Sequence, residues 1–476
     1  MRILLISMPD QIFHGKMAGK TLPSAALSSL AGNIDGDHQV RVLDLVHRPR
    51  QARRILRETI RALNPDLVGL SCMTFQYDTA RRAARLVREM APRARIALGG
   101  YHATLLHEEI GDSPDGELFD FLICGEGEQT FKALVQALAT GSELSGILGL
   151  SYRTEEGYRH NARREVVDLA EIRLPDRTVR LLGPKRSFRK MVDVVETSRG
   201  CYMNCSFCCV REMYGRSFRT YAVERVIRDI ADARSHGAQS IFLVDDNITL
   251  DVRRFEEICN AIVAHGLNDV GYYVQASSVG LASSYGLVQK MARANFRAVY
   301  LGIENMSEKS LDFLRKGRIA EKSVQAIRYL QENGIRVFAG FIVGNPDDTA
   351  GDIRHHFKFA REMNVDFLGM QVLCPYPKTE VREELLREGM VVDPFNFRRY
   401  NTCDAVVRTR HLSAEELKRI ITREYLRFTW HMVFHSKNLW YSPACSYKNL
   451  VVLLGLGWAF YTLATGKWVR SDFRGL

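Results

Sequence analysis

Three cysteines lie close together near the middle of this chain, in the sequence ETSRGCYMNCSFC of residues 196–208. Cys201, Cys205 and Cys208 are four and three residues apart and follow a predicted strand directly. On a loop, this spacing lets three thiolates converge on one small object, and thiolates are the usual ligands of iron–sulfur clusters. A four-iron cluster held by three thiolates keeps one iron open. We therefore interpret these residues as ligands of an open cluster.

A zinc site is the main alternative for the same cysteines. A closed zinc site normally has a fourth cysteine or histidine at matching spacing. Cys209 is adjacent to Cys208 and is expected to point elsewhere, and no nearby histidine supplies the missing ligand. The spacing favours the cluster, with zinc kept as an alternative.

The cysteines must be positioned by the elements around them, which alternate strand and helix patterns. Six such units in the part from 191 to 400 indicate an open, TIM-like (β/α)6 barrel, short of the eight units that close one. The predicted strands are Val194–Thr197, Ser240–Val244, Tyr272–Ala276, Ala298–Ile303, Val337–Val343 and Leu368–Leu373.

The first 140 residues show the same alternation and indicate an α/β domain with a parallel sheet. Ala80, Ala83, Ala84, Val87 and Met90 recur at helical spacing between the third and fourth strands. Five strands in this length predict a doubly wound, flavodoxin-like (Rossmann-type) domain. The predicted strands are Ile3–Ser7, Val40–Asp44, Leu67–Ser71, Ile96–Gly99 and Phe121–Cys124.

The remaining segments are a linker over 141–190, in which a hairpin is an option, and a helical region over 401–476. Leu450–Ala464 is apolar but shorter than the roughly 20 residues of a transmembrane helix, so an interfacial or buried helix is expected there. A peripheral membrane contact through this segment is one interpretation, and burial against the barrel is the other.

Composition bounds the partners and the compartment. The net charge of +11 has no compact Lys/Arg tract behind it, so we expect a solvated basic surface and no nucleic-acid partner. Scattered cysteines and an N-terminus without a signal-peptide pattern predict a cytoplasmic protein.

The Cys-x-x-x-Cys-x-aromatic-Cys pattern, with Phe207 as the aromatic residue, resembles the signature of radical S-adenosylmethionine (SAM) enzymes. The resemblance covers about 192–377. It implies that a [4Fe–4S] cluster binds SAM and reductively cleaves it to a 5′-deoxyadenosyl radical, with an electron donor such as flavodoxin or ferredoxin. It also implies SAM contacts at strand ends, although the family's usual Gly-Gly-Glu is replaced by Asp-Asp-Asn. These contacts are Phe207, Asp245, Asp246, Glu304, Gly340 and Gly344.

Each SAM contact also has a plainer interpretation. Asp245 and Asp246 could be a helix N-cap pair, Glu304 a surface acid, and the glycines turn residues.

Residues 1 to about 140 resemble the cobalamin-binding domain fused to many radical SAM enzymes, through Gly-Gly-x-His-Ala-Thr at 99–104 and Gly-Glu-Gly-Glu-x-Thr at 125–130. The Asp-x-His-x-x-Gly motif of the lower cobalt ligand is absent, because Asp44 and His47 have the wrong spacing. His102 could instead be a loop histidine in a domain that has lost cobalamin. The implied cofactor contacts are Ser71, Met73, Thr74, Gly99, Gly100, His102, Thr104, Gly125, Glu126, Gly127 and Thr130.

Three functions fit these features, and no catalytic side chain is assigned. The first is methylation of an unactivated carbon of a small-molecule or lipid substrate. The second is an oxidative cyclase or rearrangement enzyme, and the third is a non-catalytic cobalamin sensor. Tyr272 and Tyr376 are expected in the substrate pocket.

Overall fold

The computed structural model describes residues 1–10, 22–183 and 191–435. A seven-stranded sheet occupies residues 2–160, in the order β2-β1-β3-β4-β5-β6-β7. Strands β1 to β5 are parallel in the flavodoxin-like order, which confirms the predicted fold class. The strands are β1 (Arg2–Ser7), β2 (Gln39–Asp44), β3 (Leu67–Ser71), β4 (Arg95–Gly99), β5 (Phe121–Ile123), β6 (Leu150–Thr154) and β7 (Gly157–His160).

Helices cover both faces of this sheet, because its central strands are apolar on both sides. In β1, Leu4 and Ile6 pack into one core with the helices of residues 52–63 and 77–90, while Ile3 and Leu5 pack into the other with the helices of residues 25–33 and 127–140. The alanine spacing predicted a helix that is present as α3. The helices are α1 (Ala25–Asn33), α2 (Ala52–Leu63), α3 (Tyr77–Met90), α4 (Tyr101–Gly111) and α5 (Gly127–Thr140).

The hairpin of β6 and β7 lies in the segment interpreted as a linker. It continues the first sheet, because β6 pairs antiparallel with β5 and β7 pairs with β6. The first sheet therefore extends beyond residue 140.

The second sheet has six parallel strands in sequential order, β8-β11-β12-β13-β14-β15, as an open barrel requires. Its strands are β8 (Val192–Val195), β11 (Ser240–Leu243), β12 (Gly271–Ser277), β13 (Phe296–Glu304), β14 (Arg336–Val343) and β15 (Phe367–Val372). A two-stranded antiparallel ribbon of β9 (Ser198–Arg199) and β10 (Arg219–Thr220) borders the cysteine segment.

Helices alternate with the barrel strands, and their apolar side chains pack with those of the strands in one core. They are α6 (Val210–Tyr214), α7 (Val223–Ser235), α8 (Val252–Ala264), α9 (Ser278–Ala282), α10 (Tyr285–Arg293), α11 (Glu308–Phe313), α12 (Ala320–Glu332), α13 (Ala350–Glu362) and α14 (Glu380–Arg387). The last described helix, α15 (Ala414–His435), packs against α13 through Tyr425 and Phe357, whose ring centroids are 5.3 Å apart.

The apolar segment Leu450–Ala464 lies outside the described residues. Across 1–10, 22–183 and 191–435, no helix has the length and apolar character that crossing a bilayer requires.

Candidate active site

The cysteine loop begins at a glycine that no other residue can replace without strain. Gly200 has φ +83°, and an added Cβ would collide with the carbonyl oxygen of Ser217. Its N–H donates to Asp246 Oδ2 at 3.0 Å. The chain can therefore turn sharply from β9 into Cys201.

The middle of the loop is fastened to the barrel through Ser206. Its N–H donates to the Leu314 carbonyl at 3.2 Å, and its hydroxyl donates to the Phe313 carbonyl at 2.9 Å. Phe207 follows and packs, half-buried, against the barrel core. These contacts define the path of the loop along the barrel.

The three cysteines are free thiols that are partly exposed. Burial raises the pKa of the Cys201 and Cys205 thiols. Cys205 lies near enough to both Cys201 and Cys208 to raise the pKa of those thiols. Cys205 thus lies near both other thiols, and thiolates are the donor set of an iron–sulfur cluster, so the chemistry of these residues fits that group. Among the described residues, no three or more Cys, His, Asp or Glu side chains are close enough together to hold a single metal ion between them.

A lysine that the sequence analysis missed faces the same thiols. Lys316 Nζ lies 2.9 Å from Glu304 Oε1, and both side chains are largely buried. Burial alone lowers the pKa of Lys316, but Glu304 and the Cys205 and Cys208 thiols raise it above its ordinary value. The result is a charged ammonium group beside the cysteine loop. Nothing in the local sequence marks this lysine, because it lies 12 residues beyond its partner.

The two aspartates after β11 have different surroundings. Asp245 Oδ1 accepts hydrogen bonds from the N–H and hydroxyl of Thr197, at 3.2 and 2.8 Å, and from the hydroxyl of Ser198. Asp246 instead reaches Gly200 and lies near Cys201 and Cys208. Burial raises the pKa of each aspartate to about 6. Asp245 therefore binds the segment that follows β8, and Asp246 faces the cysteine loop.

Of the remaining barrel positions, Glu304 ends β13 and Gly344 follows β14, whereas Gly340 lies inside β14, three residues before the end at which it was expected. Glu304 has φ +62° and follows an irregularity in the pairing of β13 with β14. At Gly340, an added Cβ would lie 2.6 Å from the hydroxyl of Tyr300. Gly344 has φ +88° and lies against Leu417 of α15, so this glycine is enclosed by protein.

The carboxyl edge of the first sheet has small residues and free space. Gly125 has φ +75°, and a Cβ there would meet no atom within 4 Å. Gly100 has φ +93° and crosses so near Cys72 that an added Cβ would lie 2.6 Å from its carbonyl oxygen. Thr104 joins these loops, because its hydroxyl accepts from Gly125 N–H at 3.0 Å and donates to the Gly100 carbonyl at 2.9 Å. With Ser71, Gly99 and the 39% exposed Met73, this edge fits a flat, bulky cofactor.

Several other residues expected to contact the cofactor in the first domain are buried or contact protein groups. The Thr130 hydroxyl donates to the Leu148 carbonyl at 2.9 Å and accepts from Arg164 Nε at 3.0 Å. A Cβ on Gly127 would contact Leu30 of α1 at 3.1 Å. Thr74 is 2% exposed and Glu126 is 8% exposed. These residues therefore pack within the protein next to the carboxyl edge of the first sheet.

His102 is fully buried between the rings of Tyr77 and Phe397, whose centroids lie 4.1 and 5.0 Å from its own. Neither of its ring nitrogens has a hydrogen-bond partner among the described residues. Burial lowers the pKa of His102 to about 3. The ring is thus a neutral packing group.

Aromatic side chains from both domains lie near Cys209. Burial raises the pKa of Tyr101, at the first sheet's edge, and Tyr214, Asp246 and Cys209 lie near enough to raise it further. On the barrel side, Tyr376 also neighbours Cys209, and its hydroxyl donates to the Tyr400 carbonyl at 3.2 Å. The cysteine loop and the edge of the first sheet therefore face each other.

The expectation for Tyr272 is wrong. This side chain is fully buried beside Phe296, and its hydroxyl donates to the Leu267 carbonyl at 2.8 Å. Tyr272 is near the start of β12, while the site lies at the strand ends.

The same two regions match known protein families. The model of the radical SAM superfamily matches residues 195–360, and that of the B12 binding domain matches residues 16–135. An uncharacterized methyltransferase of Pyrococcus horikoshii is 30% identical over 431 residues, which are 90% of this chain and 92% of that protein. The chain belongs to the radical SAM superfamily. It is a cobalamin-dependent radical SAM enzyme with a [4Fe–4S] cluster, SAM and cobalamin as cofactors.

Two further comparisons extend over most of this radical SAM enzyme. The anaerobic magnesium-protoporphyrin IX monomethyl ester cyclase of Rubrivivax gelatinosus is 27% identical, over 91% of this chain and 78% of the cyclase. The solved structure of the cobalamin-dependent SAM radical enzyme OxsB has a TM-score of 0.70 and 18% identity, and the match covers 97% of this chain and 72% of OxsB. The OxsB comparison supports the fold alone.

Proposed function

We propose that this radical SAM enzyme methylates an unactivated carbon of a small or lipid-like substrate. The observation that carries the proposal is the position of Tyr101. It follows the glycine turn at the carboxyl edge of the first sheet and lies beside Asp246 and Cys209 of the cysteine region. A substrate between the two edges would be within reach of both cofactors.

The cofactors supply the bond-breaking chemistry and the protein supplies binding and orientation. When bound, the cluster and SAM provide a radical that removes hydrogen from carbon, and cobalamin provides the methyl group. Cys201, Cys205 and Cys208 would hold the cluster through their thiolates. Asp246 would accept hydrogen bonds from the amine of SAM. The Lys316 ammonium group would pair with the carboxylate of SAM.

The first sheet would hold cobalamin through backbone and small side chains. Gly125 leaves open space in which a large ring could approach the strand ends, and Met73 adds an exposed apolar contact. Tyr101 and Tyr376 would exclude water from the space between the cofactors.

The test is transfer of label from methyl-labelled SAM to substrate under anaerobic conditions with a chemical reductant. Labelled product is expected from the wild type and none from Cys205→Ala, which lacks one cluster ligand. Cleavage of SAM without labelled product from any candidate substrate would reject methylation.

An oxidative cyclase is the second candidate, because the Rubrivivax cyclase aligns with 91% of this chain. Product mass separates the two reactions. Methylation adds the mass of one CH₂ group, whereas oxidative cyclisation removes hydrogens or adds oxygen.

We also propose a reducing, cytoplasmic location and an electron donor such as flavodoxin or ferredoxin. All nine cysteines within the described part of the chain are free thiols, as expected in a reducing compartment.

A further inference from the structure

A buried guanidinium group joins the first domain to the cysteine segment. Arg199 is 5% exposed. Its Nη1 lies 2.9 Å from Glu126 Oε1, its Nη2 lies 2.7 Å from Glu128 Oε1, and its Nε lies 2.7 Å from Glu196 Oε2. Nη1 also donates to Glu128 Oε2 at 3.3 Å, so the guanidinium group pairs with three carboxylates.

A second arginine, Arg219, adds positive charge to the same network. Arg219 Nη1 lies 3.0 Å from Glu126 Oε2, which also accepts from the N–H of Val167 at 3.0 Å. Glu128 Oε1 accepts from the hydroxyl of Ser29 at 2.6 Å. Three carboxylates and two guanidinium groups are therefore paired in a region with little solvent.

The residues of this network come from both domains. Glu126 and Glu128 lie at the start of α5, in the motif that resembles a cobalamin-binding sequence. Arg199 lies in β9, two residues before Cys201, and Arg219 lies in the paired strand β10. The network thus connects the edge of the first sheet to the strand that leads into the cluster loop.

We propose that Arg199, Glu126 and Glu128 are positioning residues that hold the cobalamin-binding domain in register with the cluster loop, and that the two glutamates are not cofactor ligands. Both carboxylates use their oxygens on protein partners. Burial raises the pKa of Glu128, but the Arg199 charge lowers it below its usual range, so the pair remains ionised. Removing one partner of such a buried pair leaves an uncompensated charge, which is strongly destabilising.

Other residues of the same motifs contact the second half of the protein in a similar way. The ring of His102 lies against Phe397, and Thr104 Oγ1 lies 3.9 Å from the Met213 sulfur of α6. These motif side chains thus join the domains, while Gly125 borders open space at the edge of the first sheet.

The test is amide hydrogen exchange in the full chain, read by mass spectrometry over residues 124–130 and 198–209. Arg199→Met should accelerate exchange in both segments by about tenfold or more, and Arg199→Lys should restore part of the protection. Arg177→Met is the matched control, because Arg177 is also buried and also meets three carboxylates, Asp193, Asp229 and Asp232. Equal acceleration of the two segments by both methionine variants would overturn the proposal.

Cobalamin titration followed by absorbance separates positioning from cofactor binding. Glu128→Gln should bind cobalamin within about twofold of wild type while its exchange accelerates, since the carboxylate is bonded to Arg199. A loss of cobalamin affinity of about tenfold with unchanged exchange would identify Glu128 as a ligand and overturn the inference.

Turnover gives a further readout that general destabilisation would not produce. Misplaced domains should raise the ratio of SAM cleaved to product formed in Arg199→Lys, with the ratio unchanged in Arg177→Lys. An unchanged ratio in Arg199→Lys would count against positioning. The exchange and cobalamin measurements do not require methyl transfer, so the failure of this inference and the failure of the proposed function are distinguishable.

Discussion

Adjacent residues of the same type have different environments in this enzyme. Asp245 accepts three hydrogen bonds from Thr197 and Ser198, whereas Asp246 accepts one from Gly200 and faces the cysteines. Because successive side chains after a strand point in different directions, only one carboxylate is directed at the cofactor region.

Alanine substitutions should separate these two aspartates. Asp245→Ala leaves several buried donors without an acceptor and should lower the free energy of unfolding by about 3 kcal/mol. Asp246→Ala should lower it by about 1 kcal/mol but weaken SAM binding to the cluster-loaded protein. Denaturant unfolding and SAM titration measure the two effects, and the reverse pattern would exchange the assigned roles.

His102 should make the stability of the protein depend on pH. Its pKa is about 3 in the folded state, against about 6.5 in an unfolded chain. Below pH 6.5 the unfolded chain therefore binds a proton that the folded chain does not, and stability falls as pH falls. The loss from this group between pH 7 and pH 5 should be about 2 kcal/mol.

The variant His102→Phe should lack that part of the pH dependence. Denaturant unfolding at the two pH values measures it. The same change at the exposed His265 is the control, and equal pH dependence in wild type and His102→Phe would contradict the buried, neutral state.

At the scale of elements, the cysteine loop depends on contacts beyond the thiols. Gly200 allows the entry turn, and Ser206 fixes the middle of the loop on the chain that follows α11. Lys316 lies in the same connection, so one segment both anchors the loop and supplies its positive charge.

Two glycines near this loop offer a matched test of its backbone. In Gly200→Ala, the alanine has an unfavourable positive φ and its Cβ collides with Ser217. In Gly215→Ala, φ is also positive, at +64°, but no atom lies within 4 Å of the new Cβ. Gly215→Ala should cost about 1 kcal/mol of stability, and Gly200→Ala about 3 kcal/mol or more with reduced iron incorporation. Unfolding midpoints and iron content provide the measurements, and equal effects would show that the close approach is unimportant.

At the scale of the whole molecule, contacts across the two halves differ greatly in burial. The Arg199 network is enclosed, whereas Lys378 Nζ meets Glu109 Oε1 at 2.7 Å with both side chains about half exposed. Water and salt screen the exposed pair but have little access to the buried one.

Lys378→Ala should therefore change the free energy of unfolding by no more than about 0.5 kcal/mol, even though it removes an ion pair between domains. Its effect on amide exchange near residues 124–130 should be absent. Denaturant unfolding at low and high salt measures the contribution, and a loss comparable with that of Arg199→Met would contradict the ranking by burial.

Local sequence patterns predicted the two α/β regions and the three-cysteine loop. These features depend on local spacing, because strand and helix periods and the distances between Cys201, Cys205 and Cys208 are set along a short stretch of chain. The resemblance of motifs then implied the cofactors, which the family comparisons confirmed.

The protein partners of the motif side chains depend on tertiary structure. Glu126 and Arg199 are 73 residues apart, and no local period connects them. Tyr272, which was expected in the pocket, is in the core because its position along β12 places it far from the strand end. Contacts between distant segments arise from how the two sheets pack together, and that packing is not encoded in the spacing of any single motif.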